Sequence, residues 1–118
     1  MWEIDKNRPI CPQICEQICV KISKNEYKAG EKIPSVRDIA VEAGVNPNTV
    51  QKAFTILAEQ GLLYSVLGSG MFVSDNSDRA ANKIEELRKI KTVEYFEDMK
   101  LLGMNFEQIK DYIKGWNG

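Results

Sequence analysis

Histidine is absent from the 118 residues of this chain, and its absence removes whole classes of chemistry. Without an imidazole there is no Ser-His-Asp or Cys-His nucleophile, no Cys/His zinc site, and no pH switch at neutral pH. An excess of either charge is also lacking. Sixteen lysines and arginines face 17 acids for a net charge of -1, so no basic or acidic tail dominates. No apolar run approaches the roughly 20 residues needed to cross a bilayer. The opening Met1-Trp2-Glu3-Ile4-Asp5 has neither the basic stretch nor the apolar core of a secretory leader. Cysteine is sparse and odd in number, which suits a reducing compartment. The expected location is therefore the cytoplasm, with no membrane partner. What remains is ordinary: 43% hydrophobic and 28% charged residues, which excludes disorder, a collagen-like repeat and a disulfide scaffold.

The apolar pattern predicts three helices, a hairpin and two more helices. Ile10, Ile14, Ile18 and Ile22 recur every four residues, with Cys11, Cys15 and Cys19 one place along, so a helix is expected over about residues 10–24. Residues 25–32 are polar and read as a loop. Ser35 caps a second helix, with Asp38 three residues on, and Gly44 ends it. Asn46 caps a third with Pro47 at its first position, and Gly61 stops it. Two helices joined by a tight glycine turn form a helix-turn-helix signature. Short β-type runs at 62–67 and 71–74, joined by Gly68-Ser69-Gly70, predict the hairpin.

A polar linker, Asp75-Asn76-Ser77-Asp78, comes next. Beyond it a long helix carries Ile84, Leu87, Ile90, Val93, Phe96 and Met99. Gly103 breaks that helix, and Asn105 caps a last one with Phe106, Ile109, Ile113 and Trp116 on one stripe. The fold class is thus mostly α with a small β wing. A winged helix-turn-helix is expected over 1–74, a linker over 75–78, and a two-helix tail over 79–118.

The third helix carries the functional signal. It exposes Asn48, Thr49, Gln51, Lys52 and Thr55 opposite its apolar face, and no acid lies between Glu42 and Glu59. A helix entering the major groove must keep carboxylates from phosphates and offer amides, hydroxyls or cations to base edges. An ordinary solvent face is the plainer alternative, and the glycine-tipped hairpin that follows at once weighs against it.

Three runs carry a family resemblance: Gly30-Glu31-Lys32-Ile33-Pro34-Ser35-Val36-Arg37-Asp38-Ile39-Ala40, Val45-Asn46-Pro47-Asn48-Thr49-Val50-Gln51-Lys52-Ala53-Phe54, and Gly68-Ser69-Gly70-Met71-Phe72-Val73. Together they closely resemble the winged-helix domain of GntR-family bacterial transcription regulators, over about residues 10–74. The short helical tail resembles the YtrA subfamily, which lacks a large effector domain. The resemblance implies that Arg37 contacts DNA and that Asn46, Asn48, Thr49, Gln51 and Lys52 front the recognition helix. It also implies that Gly68, Ser69 and Gly70 let the wing approach the duplex. Two departures stand out. Leu67 and Met71 occupy positions where the family often has a basic residue and a threonine, so this wing is less basic than usual. Arg37 has a second reading, a surface salt bridge to Asp38 or Glu42.

The remaining features have competing readings. Cys11, Cys15 and Cys19 could bind a soft metal or sense oxidation, but without a fourth ligand they read better as small core hydrophobes. No cofactor pattern is visible. The tail aromatics could line an effector pocket, yet two helices enclose little volume. Their apolar residues (Ile84, Leu87, Ile90, Val93, Phe96, Met99, Phe106, Ile109, Ile113 and Trp116) suit a homodimer interface better. The expected partners are double-stranded operator DNA and a second copy of the chain, with a small-molecule effector left open. A winged helix serving only protein–protein contact is the competing class. No residue set suggests an enzyme.

Overall fold

In a computed structural model, residues 2–75 and 78–117 are described. Helix α1 spans Ile10–Ser23, α2 Val36–Ala43 and α3 Pro47–Glu59. Strands β1 (Leu63–Val66) and β2 (Gly70–Val73) form the hairpin, followed by α4 (Asp78–Leu101) and α5 (Phe106–Gly115). The mostly helical class with a two-stranded hairpin is as the sequence predicts.

Local chemistry fixes the helix ends. Ser35 Oγ accepts from the Asp38 N–H at 3.1 Å, and Asn46 Oδ1 accepts from the Asn48 N–H at 2.8 Å. Both satisfy donors that a first helical turn leaves unpaired. Past α2, the Val45 N–H reaches Ala40 O and the Gly44 N–H reaches Val41 O. That Schellman closure needs a left-handed residue at Gly44, whose φ is +68°. Asn105 and Gln108 form a reciprocal capping box on α5.

The chain divides into two compact units, Met1–Ile84 and Glu85–Gly118. In the first, α1 packs on α3 and α2 on α3. Ile14, Ile18, Ile39, Val50, Phe54 and Leu57 are fully buried there. At roughly 1.5–3 kcal/mol for each large side chain removed from water, this cluster holds the helices together. In the hairpin, Leu63 pairs with Val73, Tyr64 with Phe72, Ser65 with Met71, and Val66 with Gly70.

Three features differ from the sequence expectations. The 25–32 loop ends in extended backbone that joins the free edge of β2. Lys32 bridges Phe72, the Ile33 N–H donates to Met71 O, and the Val73 N–H donates to Glu31 O. The segment before α1 is also held in place. The Asp5 N–H donates to Gln13 Oε1, and Gln13 Nε2 donates to the carbonyls of Asp5, Arg8 and Pro9.

The third difference concerns the linker. Residues 76 and 77 lie outside the described residues, and Asp78 already begins α4. Ala80 and Ile84 are buried within the first unit. Arg79 Nη1 donates to Gln60 O at 3.3 Å, so the start of α4 is pinned to the end of α3. The first compact unit therefore takes in the start of α4, through Ile84.

In the second unit, Ile109 is fully buried, and the Phe96 and Phe106 rings lie 5.3 Å apart. Ile84 and Ile109 are thus buried within the single chain. Leu87, Phe96 and Met99 are half-buried, whereas Ile90, Val93, Phe106, Ile113 and Trp116 are exposed. Among the described residues no helix is long and apolar enough to cross a membrane.

Candidate nucleic-acid interface

The core face of α3 dictates what its other face shows. Val50, Ala53, Phe54 and Leu57 are buried, so helical periodicity turns Asn48, Gln51, Lys52 and Thr55 to solvent. All four are exposed, as is Asn46, while Thr49 is half-buried. Two of these polar groups are partly committed. Asn46 Oδ1 caps α3, and Thr55 Oγ1 donates to Gln51 O at 3.1 Å.

Arg37 projects from α2 into solvent and makes no ion pair among the described residues. Its suggested partner Glu42 instead accepts from Trp2 Nε1 at 3.2 Å. Near the helix-turn-helix turn a cation appears that the sequence did not suggest. Lys6 Nζ donates to Gly44 O at 3.0 Å, carried there by the segment that Gln13 pins.

The wing follows α3 directly. Gln51 and Thr55 of α3 line a shallow cleft of about 420 Å³ with Ser65 and Met71 of the hairpin. At the tip the Ser69 N–H donates to Val66 O at 2.9 Å, and Gly68 holds φ +76°. A Cβ on Gly68 would meet nothing within 4 Å, so backbone conformation rather than crowding calls for glycine there in the free chain. Gly68, Ser69 and Gly70 are all exposed. Leu67 beside them is fully exposed.

The cysteines lie away from this face. Burial pushes the Cys15 thiol up to about 12, helped by Cys11, and burial pushes Cys19 up to about 11 against the pull of Lys83. Cys15 Sγ lies 3.8 Å from Ala53 O, against α3. Thiols so far from ionising at neutral pH fit core packing, not the thiolate needed for metal binding or redox sensing.

The profile for "Bacterial regulatory proteins, gntR family" matches residues 12–73. The HTH-type transcriptional repressor YtrA of Bacillus subtilis is 31% identical, over 97% of this chain and 90% of its own. This chain belongs to the gntR family. Among solved structures, a GntR family transcriptional regulator from Listeria monocytogenes superposes with a TM-score of 0.82 at 32% identity. That match covers 97% of this chain and all of the other. The DNA-binding domain of AraR, solved in complex with operator ORE1, superposes with a TM-score of 0.54 at 32% identity, over 63% of this chain and 93% of that one. The gntR-family chain is thus a winged helix-turn-helix transcription regulator, and its relatives are regulators rather than enzymes.

Proposed function

We propose that this gntR-family regulator is a sequence-specific repressor that binds a palindromic operator as a homodimer. The observation that carries the reading is the exposed face of α3, free of acids until Glu59 at its end, which offers Asn48, Gln51 and Lys52 beside a glycine-tipped wing. In this reading α3 enters the major groove. Gln51 and Asn48 address base edges, Arg37 and Lys52 take phosphates, and Gly68, Ser69 and Gly70 approach the neighbouring backbone. Asn46 and Thr49 set the start of α3, Asn46 chiefly through its cap. The repressor role is supported by likeness to YtrA, and operator binding by likeness to the AraR domain.

The homodimer rests on the second unit. Leu102 is 78% exposed and Trp116 71%, with Ile90, Val93, Phe106 and Ile113 also open to water. Tyr95, Met99, Leu102, Tyr112, Ile113 and Trp116 line an apolar groove of about 530 Å³. Exposed apolar surface of this kind usually marks an interface, and a two-fold dimer suits a palindrome. The test is to enrich duplexes from a random library with the full chain and to sediment it alongside Leu102→Glu and Trp116→Glu. We expect inverted half-sites, a dimeric wild type and monomeric variants. Single, unpaired sites bound by a monomer would overturn the dimer. A reporter placed behind the enriched site should fall silent when the chain is expressed.

A further inference from the structure

The hairpin from Leu63 to Val73 contains no charged residue, so it brings no cation of its own to a phosphate backbone. The fold brings one from elsewhere. Extended backbone around Lys32 lies along the free edge of β2, held by the Ile33-to-Met71 and Val73-to-Glu31 hydrogen bonds at 3.0 and 2.9 Å. Because Lys32 bridges Phe72 and Phe72 pairs with Tyr64, these three residues share one face of the wing. Gly70, two residues before Phe72, lies on that same face.

The Lys32 stem runs across Gly70. A Cβ built there would lie 2.9 Å from Lys32 Cε and 3.7 Å from Nζ, so any larger residue at position 70 would push the lysine aside. Gly70 also holds φ +123°, which independently favours glycine. Lys32 is exposed, and among the described residues its ammonium makes no ion pair. The aromatic pair beneath, Tyr64 and Phe72, stacks at 5.7 Å and stiffens the platform.

We propose that Lys32, seated across Gly70 by the extended backbone bridged to β2, is the wing's phosphate-binding residue. It supplies the charge that the hairpin lacks. The proposal rests on the DNA-binding reading above and assigns it a residue outside both the recognition helix and the hairpin.

The probe is a duplex enriched from a random library by the full-length wild-type chain, titrated from about 50 to 200 mM salt. Lys32→Met keeps a stem across Gly70 but removes the charge, and Lys32→Arg keeps the charge. We expect Lys32→Met to reduce the slope of log affinity against log salt by about 0.9 per half-site, with Lys32→Arg close to wild type. The melting temperature of Lys32→Met should stay unchanged. A Lys32→Met slope equal to that of wild type overturns the assignment. So does an arginine variant that loses as much slope as the methionine one, because the stem's packing would then be what counts. A wild-type chain that enriches no duplex fails at the earlier step, and the DNA-binding reading falls together with this inference.

Discussion

Arg37 is exposed on α2 and makes no ion pair among the described residues, and Glu42, one of the two acids that could have engaged it, accepts from the Trp2 indole. An unpaired surface guanidinium adds little to folding. Replacing Arg37 with Ala should therefore weaken operator binding by roughly 1–3 kcal/mol and leave the melting temperature alone. Lower stability with unchanged DNA affinity would make it a structural residue.

Gln51 and Lys52 are neighbours on α3 with different chemistry. Gln51→Ala should relax the preference at one position of each half-site. Lys52→Ala should weaken all sequences alike and cut the salt slope by about one unit per half-site. A selection that returns the wild-type sequence preference for Gln51→Ala would remove its base-reading role. The thiols make a prediction of a different kind. Cys15 and Cys19 are raised from 9.0 to about 12 and about 11 in the fold, so the unfolded chain ionises them first. Their contribution to stability is present below pH 9 and is lost as pH rises towards those folded values. Urea unfolding should show stability falling from pH 8 to pH 10, and more shallowly once both are replaced by Ala. Equal slopes in the two proteins would contradict the burial of these thiols.

At the scale of elements, α2 depends on its ends because it is short. Ser35 Oγ caps the Asp38 N–H and faces solvent, so its loss should act on stability alone. Ser35→Ala should cost about 1 kcal/mol, or about 4–8 °C of melting temperature for a domain of this size. The slope of DNA binding against salt should not move. An unchanged melt would mean that water caps the helix as well as serine does. The wing shows how elements combine. β1 and β2 follow from their turn residues, but the third edge comes from a segment that precedes α2 and carries the lysine.

For the whole molecule, the boundary between units decides what a truncation does. Reading the linker as the end of the head would make a cut after Asp78 harmless. However, Ala80 and Ile84 are buried in the first unit, and Arg79 bonds to Gln60. A chain ending at Asp78 should melt well below one ending at Glu86, since losing the burial of Ile84 alone is worth about 1.5–3 kcal/mol. Both should sediment as monomers and lose the gain from linking two heads, which can reach about 10²–10⁴. Identical melts would place α4 outside the head, and a dimeric shorter chain would place the interface within it. With a net charge of only -1, affinity for arbitrary duplexes should stay modest.

The sequence by itself determined the helices, their caps and the polar face of α3. Each depends on residues within a turn or two of one another, so spacing and cap chemistry record them directly. Ser35, Gly44, Asn46 and Asn105 do in the fold what their local context predicts. The tertiary structure alone decided three things: the bridge to β2 that brings Lys32 to Gly70, the pinning of the first residues through Gln13, and the inward turn of Ala80 and Ile84. Lys32 and the start of α4 meet partners in distant elements, and Gln13 bonds to residues only four to eight places back that lie outside regular structure. A single bridging residue at a sheet edge has no periodicity to read, and a buried glutamine looks in sequence like any surface polar residue. An apolar stripe likewise shows that a helix face must be covered, but not which surface covers it.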